Sequence, residues 1–249
     1  MKEEFIGKVA VVSGGTSGIG EAIARHLSDS GATVYVGSRR VSERAEEGNI
    51  ALPLDVSSRD SVNEFIQQVL HEQGKIDILV NSAGINKRIT AEEFPEEAWL
   101  EVVNVNLNGT YRMCQEVGRS MIEKNYGKIV NITSLNSHIV IPNCSAYAAS
   151  KGAVMQYTKA LAVEWAKYNI NVNAISPGFI ATEINKGARE QPTYRDPIIE
   201  KTPSRRFGTS DEVAEAAMFL VSDRAQFVTG HIMAVDGGYL AGHPNVIAK

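Results

Sequence analysis

Seven short runs of apolar, largely β-branched residues recur along the chain, and longer amphipathic stretches separate most of them. Such runs predict strands that are covered on both faces of a parallel sheet, and the intervening stretches predict helices. The predicted strands are 8–13, 33–37, 50–54, 75–81, 128–134, 170–175 and 231–236. Strands that alternate with helices predict the α/β class, with a doubly wound, seven-stranded parallel sheet and helices on both faces.

Two stretches interrupt this alternation. Only about a dozen residues separate Gly37 from Ile50, so we expect the helix between these two strands to be short or absent. The segment of about 180–208 is polar and contains Pro192, Pro197 and Pro203, which predicts a mobile excursion that serves as a substrate lid. No internal repeat, low-complexity tract or linker divides the chain, so residues 1–249 are predicted to form a single domain.

Composition narrows the possible partners. A net charge of −4 and a pI of about 5.8 give no basic surface for nucleic acid or an anionic membrane. Cys114 and Cys144 form neither a disulfide pattern nor a metal-ligand pattern, which favours a reducing, cytoplasmic setting. Residues 1–7 lack an apolar signal core, and no apolar stretch approaches membrane-spanning length.

A glycine-rich turn follows the first predicted strand. Its sequence is Gly14-Gly-Thr16-Ser17-Gly18-Ile19-Gly20, and a helix to about Ser30 and a second strand come after it. This βαβ context is Rossmann-like and predicts a dinucleotide site. Gly14 permits a tight turn, while Gly18 and Gly20 let the backbone approach a pyrophosphate at the helix N-terminus. A plain tight turn is the alternative, since Gly-x-x-x-Gly-x-Gly differs from the better-known fingerprint.

The residues after the second strand bear on the choice of cofactor. They are Ser38, Arg39 and Arg40, and no acidic residue stands where one would bind the adenosine ribose hydroxyls. Arginine suits a 2′-phosphate, so NADP(H) is favoured, with NAD(H) as the alternative. The two arginines are otherwise solvated loop residues, and the nearby Glu43 and Glu46 complicate this loop.

Three residues suggest acid/base chemistry. Tyr147 and Lys151 lie four positions apart in a helix predicted over 146–165, so their side chains share one helix face. An ammonium beside a phenol is expected to lower the phenol's pKa and to make Tyr147 a general acid/base for a hydroxyl–carbonyl interconversion. Ser134 ends a predicted strand, where its hydroxyl can hydrogen-bond the substrate oxygen. The alternative is a pair of surface residues and a serine that merely ends a strand.

These segments together resemble the short-chain dehydrogenase/reductase family over essentially the whole chain. The matching segments are Gly14-x-x-x-Gly18-Ile-Gly20, Asp55-Val56, Asn81-x-Ala83-Gly84, Asn106, Ser134, Tyr147-x-x-x-Lys151 and Pro177-Gly178. Each segment is weak alone, but all of them occur in order at appropriate intervals. The resemblance implies an NAD(P)-dependent oxidoreductase that acts on CH–OH groups.

The resemblance also implies a role for each matching residue. Tyr147 is expected to be the acid/base, Lys151 to lower its pKa and hold the nicotinamide ribose, and Ser134 to orient the substrate oxygen. Asn106 is expected to hold a water that links Lys151 to solvent, although a polar patch between packed helices is an equal explanation. The other expected cofactor contacts are Asp55 and Val56 at the adenine, Asn81, Ala83 and Gly84 near the adenine-side ribose, Pro177 and Gly178 after the sixth strand, and Ile180 and Thr182 at the carboxamide.

Within this family, several stretches are similar to gluconate 5-dehydrogenases and 2-dehydro-3-deoxy-gluconate 5-dehydrogenases. They are 84–88, 93–96, 201–203, 206–208 and 228–231. This similarity implies a hydroxylated sugar acid or polyol as substrate. Arg88 follows the cofactor loop, and its guanidinium is predicted to fork onto a sugar-acid carboxylate. Equally, Arg88 is a surface residue or an ion-pair partner of Glu92 or Glu93.

Two other functions remain as alternatives. A 3-oxoacyl-carrier-protein reductase shares every catalytic motif and needs a basic surface beside the site, of which Arg205 and Arg206 give a hint. A non-catalytic NADP-sensing or scaffold protein is the alternative of another class, because a fold does not prove a function. The resemblance implies a homotetramer that assembles through helices at about 106–125 and 147–168 and through the C-terminal segment.

Overall fold

The computed structural model describes residues 4–39 and 48–242. The predicted contact of Arg40 with a cofactor phosphate therefore lies outside the described residues, as does the connection between the second and third strands.

The described strands confirm the predicted alternation and its parallel sheet. The strands are β1 (Val9–Ser13), β2 (Thr33–Ser38), β3 (Asn49–Pro53), β4 (Ile78–Asn81), β5 (Gly127–Ile132), β6 (Ile170–Pro177), β7 (Ile180–Ala181), β8 (Gly208–Thr209) and β9 (Ile232–Val235). Seven of them form one sheet in the order β3-β2-β1-β4-β5-β6-β9, and every pair in it is parallel. The strand order reverses between β1 and β4, which is where doubly wound sheets bind their ligands.

Helices cover both faces of this sheet. They are α1 (Gly18–Asp29), α2 (Arg59–Gln73), α3 (Glu96–Val103), α4 (Gly109–Lys124), α5 (Ser145–Trp165), α6 (Lys186–Arg189), α7 (Pro192–Lys201) and α8 (Ser210–Val221). Ala10 and Val12 of β1 pack in a core with α1 and α8, whereas Val9 and Val11 pack in a second core with α2, α4 and α5. Burial on both faces explains why the strands are continuously apolar. No described helix combines the length and apolarity needed to cross a bilayer.

A short π-helix over Asn104–Asn108 joins α3 to α4. The backbone N–H of Gly109 donates to the carbonyl of Asn104, which is the i→i+5 spacing of a π turn. The asparagine-rich stretch Asn104–Asn108 therefore marks a change of helix geometry between α3 and α4. Such π segments occur frequently at functional sites.

The excursion at about 180–208 is more regular than its composition predicts. It contains α6 and α7, and its two ends pair in parallel as β7 and β8, with Ile180 opposite Gly208. Pro192 does not break structure here, since it occupies the first turn of α7, where its missing N–H has no partner to lose. The mobility of this segment stays a prediction.

Candidate active site

A cavity of about 460 Å³ opens at the carboxyl ends of β1, β4, β5 and β6. Most of the predicted site residues line it. Those that do are Gly14, Ser17, Gly18, Ile19, Ala83, Gly84, Arg88, Ser134, Tyr147, Lys151, Pro177, Gly178, Ile180 and Thr182. The predicted residues that do not line it are Thr16, Gly20, Ser38, Arg39, Asp55, Val56, Asn81 and Asn106. The structure thus brings the glycine turn and the acid/base residues to one cavity.

The glycine turn brings backbone segments into close approach. A Cβ atom at Gly14 would lie 2.8 Å from the Cα of Ala83, and a Cβ atom at Gly20 would lie 2.3 Å from the carbonyl oxygen of Gly14. Gly18 adopts a φ of +57°, a conformation that side chains rarely tolerate. Ser17 caps α1 without a side-chain hydrogen bond, so its hydroxyl does not compete for the first amides of the helix. Those amides and the helix dipole suit a pyrophosphate, so this turn fits a bound dinucleotide.

The residues predicted to bind the adenine end of the cofactor follow β2 and β3 and lie outside the cavity. The Ser57 hydroxyl and amide donate to the Asp55 carboxylate at 2.6 and 2.9 Å, and the charge of Arg39 lies near it. The bonds from Ser57 and then that positive charge lower the pKa of Asp55. Arg39 is exposed, so its guanidinium is accessible to a phosphate. The side chain of Val56 is buried and packs close to the Cα of Gly109.

The side chain of Asn81 bonds within the protein core and does not line the cavity. Its side chain is buried and donates to Asn131 Oδ1 at 2.9 Å and to the sulfur of Cys114 at 3.2 Å. Asn131 in turn donates to Thr158 Oγ1 at 3.0 Å. The Asn81 side chain therefore joins β4 to β5 and α4 beneath the sheet rather than facing the cavity. At this position only the backbone is available to a nucleotide.

Ser134, Tyr147 and Lys151 converge in the cavity. Ser134 lies just beyond the end of β5, where its Oγ accepts the Asn136 amide at 3.1 Å and keeps its proton for another acceptor. The Lys151 Nζ atom lies 5.8 Å from the centre of the Tyr147 ring and donates to the Ile132 carbonyl at 2.7 Å. The predicted helical spacing therefore does place the phenol and the ammonium together.

The pKa shifts of Tyr147 and Lys151 contradict one prediction. Burial raises the pKa of Tyr147, and its hydrogen bond with Ser134 opposes the rise only in part. Burial also lowers the pKa of Lys151 to about 8. The expected lowering of the Tyr147 pKa by Lys151 is therefore wrong for this structure, since loss of solvent disfavours the phenolate more strongly. At neutral pH the Tyr147 hydroxyl keeps its proton.

Asn106 lies in the π-helix and is fully buried. Its Oδ1 accepts the Ile85 amide at 2.8 Å, and its Nδ2 donates to the Ile85 carbonyl at 2.9 Å and to Ser150 Oγ at 3.0 Å. Asn106 thus ties the loop after β4 to α5. A Cβ atom at Gly84 would lie 3.3 Å from Asn106 Oδ1 and 3.5 Å from Lys151 Nζ, so glycine keeps the space between these two atoms open.

Arg88 is exposed at the rim of the cavity. Its guanidinium carbon lies 5.7 Å from the centre of the Tyr194 ring on α7, a stacking arrangement that steadies the cation. Within residues 4–39 and 48–242, no ion pair joins Arg88 to Glu92 or Glu93. The alternative of a structural ion pair therefore finds no support in the described residues.

Sequence reasoning missed several residues that line the cavity. They are Ser82, Ile85, Asn86, Ile132, Thr133, Leu135, Asn136, Ile141, Phe179, Asn185 and Tyr194. Asn136 holds the loop after Ser134, since its Oδ1 accepts the Ile141 amide at 3.0 Å. Its position two residues after Ser134 was a usable signal. Tyr194 carried no such signal, because it reaches the cavity only through the packing of α7.

Comparison with known proteins identifies the family. The family model described as enoyl-(acyl carrier protein) reductase matches residues 14–240. The 2-dehydro-3-deoxy-D-gluconate 5-dehydrogenase of Bacillus subtilis (strain 168) is 42% identical over 247 residues, covering 94% of this chain and 95% of the relative. The chain belongs to the short-chain dehydrogenase/reductase family. The predicted family and the Rossmann-like sheet are thereby confirmed.

Other relatives of this short-chain dehydrogenase/reductase differ in what they act on. The NAD-dependent glycerol dehydrogenase of Listeria innocua serovar 6a is 43% identical and covers 93% of both chains. A 3-oxoacyl-[acyl-carrier-protein] reductase of Thermotoga maritima is 38% identical and covers 93% of this chain and 97% of its own. A gluconate 5-dehydrogenase from Burkholderia cenocepacia J2315, solved in complex with NADP and tartrate, superposes with a TM-score of 0.91 at 34% identity, over 97% of this chain and 98% of that one.

These relatives establish the class of activity. This short-chain dehydrogenase/reductase is an NAD(P)-dependent oxidoreductase of the alcohol dehydrogenase and ketone reductase type, similar to gluconate 5-dehydrogenases. The prediction that the chain is an enzyme is confirmed, and the alternative of a non-catalytic sensor is not supported.

Proposed function

We propose that this enzyme uses NADP(H) to interconvert a secondary alcohol and a ketone on a hydroxylated sugar acid, with Tyr147 as the general acid/base. The observation that carries the proposal is the convergence of Ser134, Tyr147 and Lys151 in a cavity that the glycine turn borders on one side and Arg88 on the other. This convergence supports the assignment of proton transfer, cofactor binding and anion binding to one site.

The residues divide the work of ketone reduction. A bound nicotinamide supplies the hydride. Ser134 donates a hydrogen bond to the carbonyl oxygen, and Tyr147 transfers its proton to the same oxygen. Because burial holds the Tyr147 pKa above its ordinary value, the hydroxyl is ready to donate at neutral pH. Oxidation of the alcohol requires the phenolate and is favoured at higher pH.

Lys151 and Asn106 support this proton transfer. Lys151 holds the nicotinamide ribose, as predicted from the family resemblance. Gly84 lies beside both Asn106 Oδ1 and Lys151 Nζ and adds no side chain between them, which agrees with a water bound between these groups. Such a water would carry a proton from solvent to Lys151, as predicted for Asn106. The Asn106 side chain also positions the cavity wall through its three hydrogen bonds.

Arg88 supports an acidic substrate. It lines the cavity, is exposed, and is held against Tyr194 rather than against a carboxylate of the described residues. A planar guanidinium in this state suits bidentate binding of a carboxylate. The relatives named for gluconate derivatives agree with this reading, whereas the glycerol dehydrogenase of Listeria innocua supports the polyol alternative.

The preference for NADP(H) rests on Arg39. Arg39 is exposed just after β2, and the residue before it, Ser38, is not acidic. The Burkholderia cenocepacia relative was solved with NADP. The Asp55 carboxylate also interacts with the charge of Arg39, which weakens the attraction of Arg39 for a 2′-phosphate. We therefore expect a moderate preference for NADP(H) over NAD(H).

The proposal also covers the substrate lid, the oligomeric state and the cellular location. We propose one domain in which α6 and α7, within about 180–208, close over the bound substrate. A homotetramer is supported by apolar side chains that the described chain leaves exposed on α3, α4 and α5, namely Leu100, Trp99, Tyr111 and Val163. A cytoplasmic location is consistent with two buried, unpaired cysteines.

Tyr147→Phe tests the acid/base assignment. We expect kcat for 5-ketogluconate reduction to fall by about 10²–10⁴-fold, while the Kd for NADPH changes less than about twofold, since only the proton donor is lost. Oxidation of NADPH and NADH should be followed against 5-ketogluconate, neutral ketoses and a 3-oxoacyl thioester. Retained turnover by the variant would overturn the role of Tyr147. Preference of the wild type for the thioester would make the enzyme a 3-oxoacyl-carrier-protein reductase.

A further inference from the structure

A second cavity of about 510 Å³ adjoins the catalytic cavity beneath α7. Arg88, Ile141, Phe179 and Tyr194 line both cavities, so they form a shared wall between them. We call the second cavity the distal chamber. A long substrate whose carbonyl lies against Tyr147 would extend along these shared residues toward the distal chamber.

The distal chamber is lined mainly by apolar side chains. They include Ile139, Val140, Ile141, Pro142, Ile198 and Leu240. No acidic side chain lines it, and its two cations are Arg88 and Lys201. Among residues 4–39 and 48–242, neither cation takes part in an ion pair. The lining therefore combines an apolar wall with two positive charges that have no carboxylate partner in the described part of the chain.

A small sugar acid gains little binding free energy from an apolar chamber. Its hydroxyl groups would lose hydrogen bonds to water against an apolar wall, which is unfavourable without compensating partners. Methylene groups instead gain free energy from burial there. The lysine at the end of α7 then provides a second place for an anionic group, beyond the one that Arg88 offers at the junction of the cavities.

We propose that the enzyme also reduces oxo acids in which an apolar chain separates the ketone from the carboxylate. The carbonyl binds at Ser134 and Tyr147, the methylene chain occupies the distal chamber, and the carboxylate pairs with Lys201. This second substrate class relies on the proposed role of Tyr147 but not on the sugar-acid assignment.

The chemistry is that of the established oxidoreductase class. The reduced nicotinamide transfers a hydride to the carbonyl carbon and becomes oxidised. The carbon–oxygen π electrons move to the oxygen, which takes the proton of Tyr147, and solvent later returns that proton. The products are a secondary hydroxy acid and NADP⁺.

A chain-length series tests the proposal. The substrates are 4-oxopentanoate, 7-oxooctanoate and 9-oxodecanoate, with 2-decanone as the uncharged control that has the same methylene chain as 9-oxodecanoate. We expect kcat/KM to rise by about threefold for each methylene that the chamber buries. A further gain of about tenfold is expected once the carboxylate reaches Lys201, and 2-decanone should lack this gain.

Two variants and a control assign the effect to the chamber. Lys201→Met keeps the apolar stem and should remove the advantage of 9-oxodecanoate over 2-decanone, a loss of about tenfold. The control Lys159→Met, at an exposed position of α5 that lines neither cavity, should leave the series unchanged. Val140→Trp fills the chamber from its rim, where the valine is 70% exposed and substitution is tolerated, and should cut activity on the longer acids only.

The outcomes separate this proposal from the proposed function. A flat chain-length series with good turnover of 5-ketogluconate would overturn the distal chamber and leave the sugar-acid assignment standing. Rising activity along the series with no turnover of 5-ketogluconate would support the chamber and overturn that assignment. A rising series that Lys201→Met and Lys159→Met leave equally unchanged would overturn the role of Lys201. Absence of activity on every ketone would overturn both proposals.

Discussion

The two sides of the catalytic cavity are built from different parts of the polypeptide. On the nucleotide side, backbone atoms of the turn after β1 approach the β4 loop and α1 so closely that Gly14 and Gly20 have no room for a methyl group. On the substrate side, the wall is made of side chains such as Arg88 and Tyr194, and the short helix α7 carries part of it. A backbone-built wall tolerates few sequences, whereas a side-chain wall can change its chemistry without changing the fold. We therefore expect the nucleotide side to carry the chemistry common to the family and the substrate side to carry its specificity.

The largest expected effect on cofactor affinity comes from a methyl group on the nucleotide side. In Gly20→Ala the added carbon would lie 2.3 Å from the Gly14 carbonyl oxygen, so backbone must move at the pyrophosphate site. We expect NADPH affinity to fall by about a hundredfold, which corresponds to about 3 kcal/mol. Fluorescence titration measures the affinity, and thermal unfolding separates lost binding from lost folding.

The matched control lies on the substrate side. A Cβ atom at Gly187 of α6 would meet no other atom within 4 Å. Gly187→Ala should therefore leave NADPH affinity unchanged and alter stability by less than about 1 kcal/mol. Equal losses of affinity in the two variants would contradict the contrast between a backbone-built and a side-chain-built wall.

A smaller effect is expected at the rim of the substrate side. Arg88→Ala removes the cation that faces the cavity, so kcat/KM for 5-ketogluconate should fall by about tenfold, with little change for neutral polyols. Arg195→Ala is the control, since Arg195 is partly exposed on the same helix as Tyr194, pairs with Asp196 and lines neither cavity. Steady-state kinetics measure kcat/KM of both variants on 5-ketogluconate and on neutral polyols. Equal losses on acids and polyols would show that Arg88 does not recognise a carboxylate.

This contrast also explains what sequence alone predicts well. Buried parallel strands are continuously apolar, and a glycine turn must have glycine where φ is positive or the backbone is crowded, so the sheet and the Gly14–Gly20 turn follow from residue type and spacing. Tyr147 and Lys151 are likewise predictable, because four residues span one helical turn. Each of these features is local in the chain.

The features that sequence missed depend on packing between distant segments. Tyr194 reaches the cavity through the position of α7, and Asn81 turns toward Asn131 and Cys114 because α4 packs beneath β4. The pKa of Tyr147 also depends on enclosure by residues far away in sequence. The four-residue spacing correctly predicts that Lys151 lies beside the Tyr147 phenol, but it does not predict the loss of solvent around the phenol. That loss of solvent determines the direction of the pKa shift.

The smallest expected effect concerns Lys151, which lies where the two sides meet. Burial lowers its pKa to about 8, below the value of about 10.5 expected in the unfolded chain. Between these two values the unfolded chain binds more protons, so the free energy of unfolding rises with pH, and this gain is lost as pH falls through 8. We expect a rise of about 1 kcal/mol between about pH 7.5 and pH 9. Urea denaturation should show the rise in the wild type and in Lys159→Met, an exposed lysine of the same helix, but not in Lys151→Met. The same rise in Lys151→Met would mean that another group titrates, and the buried ammonium would then carry no cost in stability.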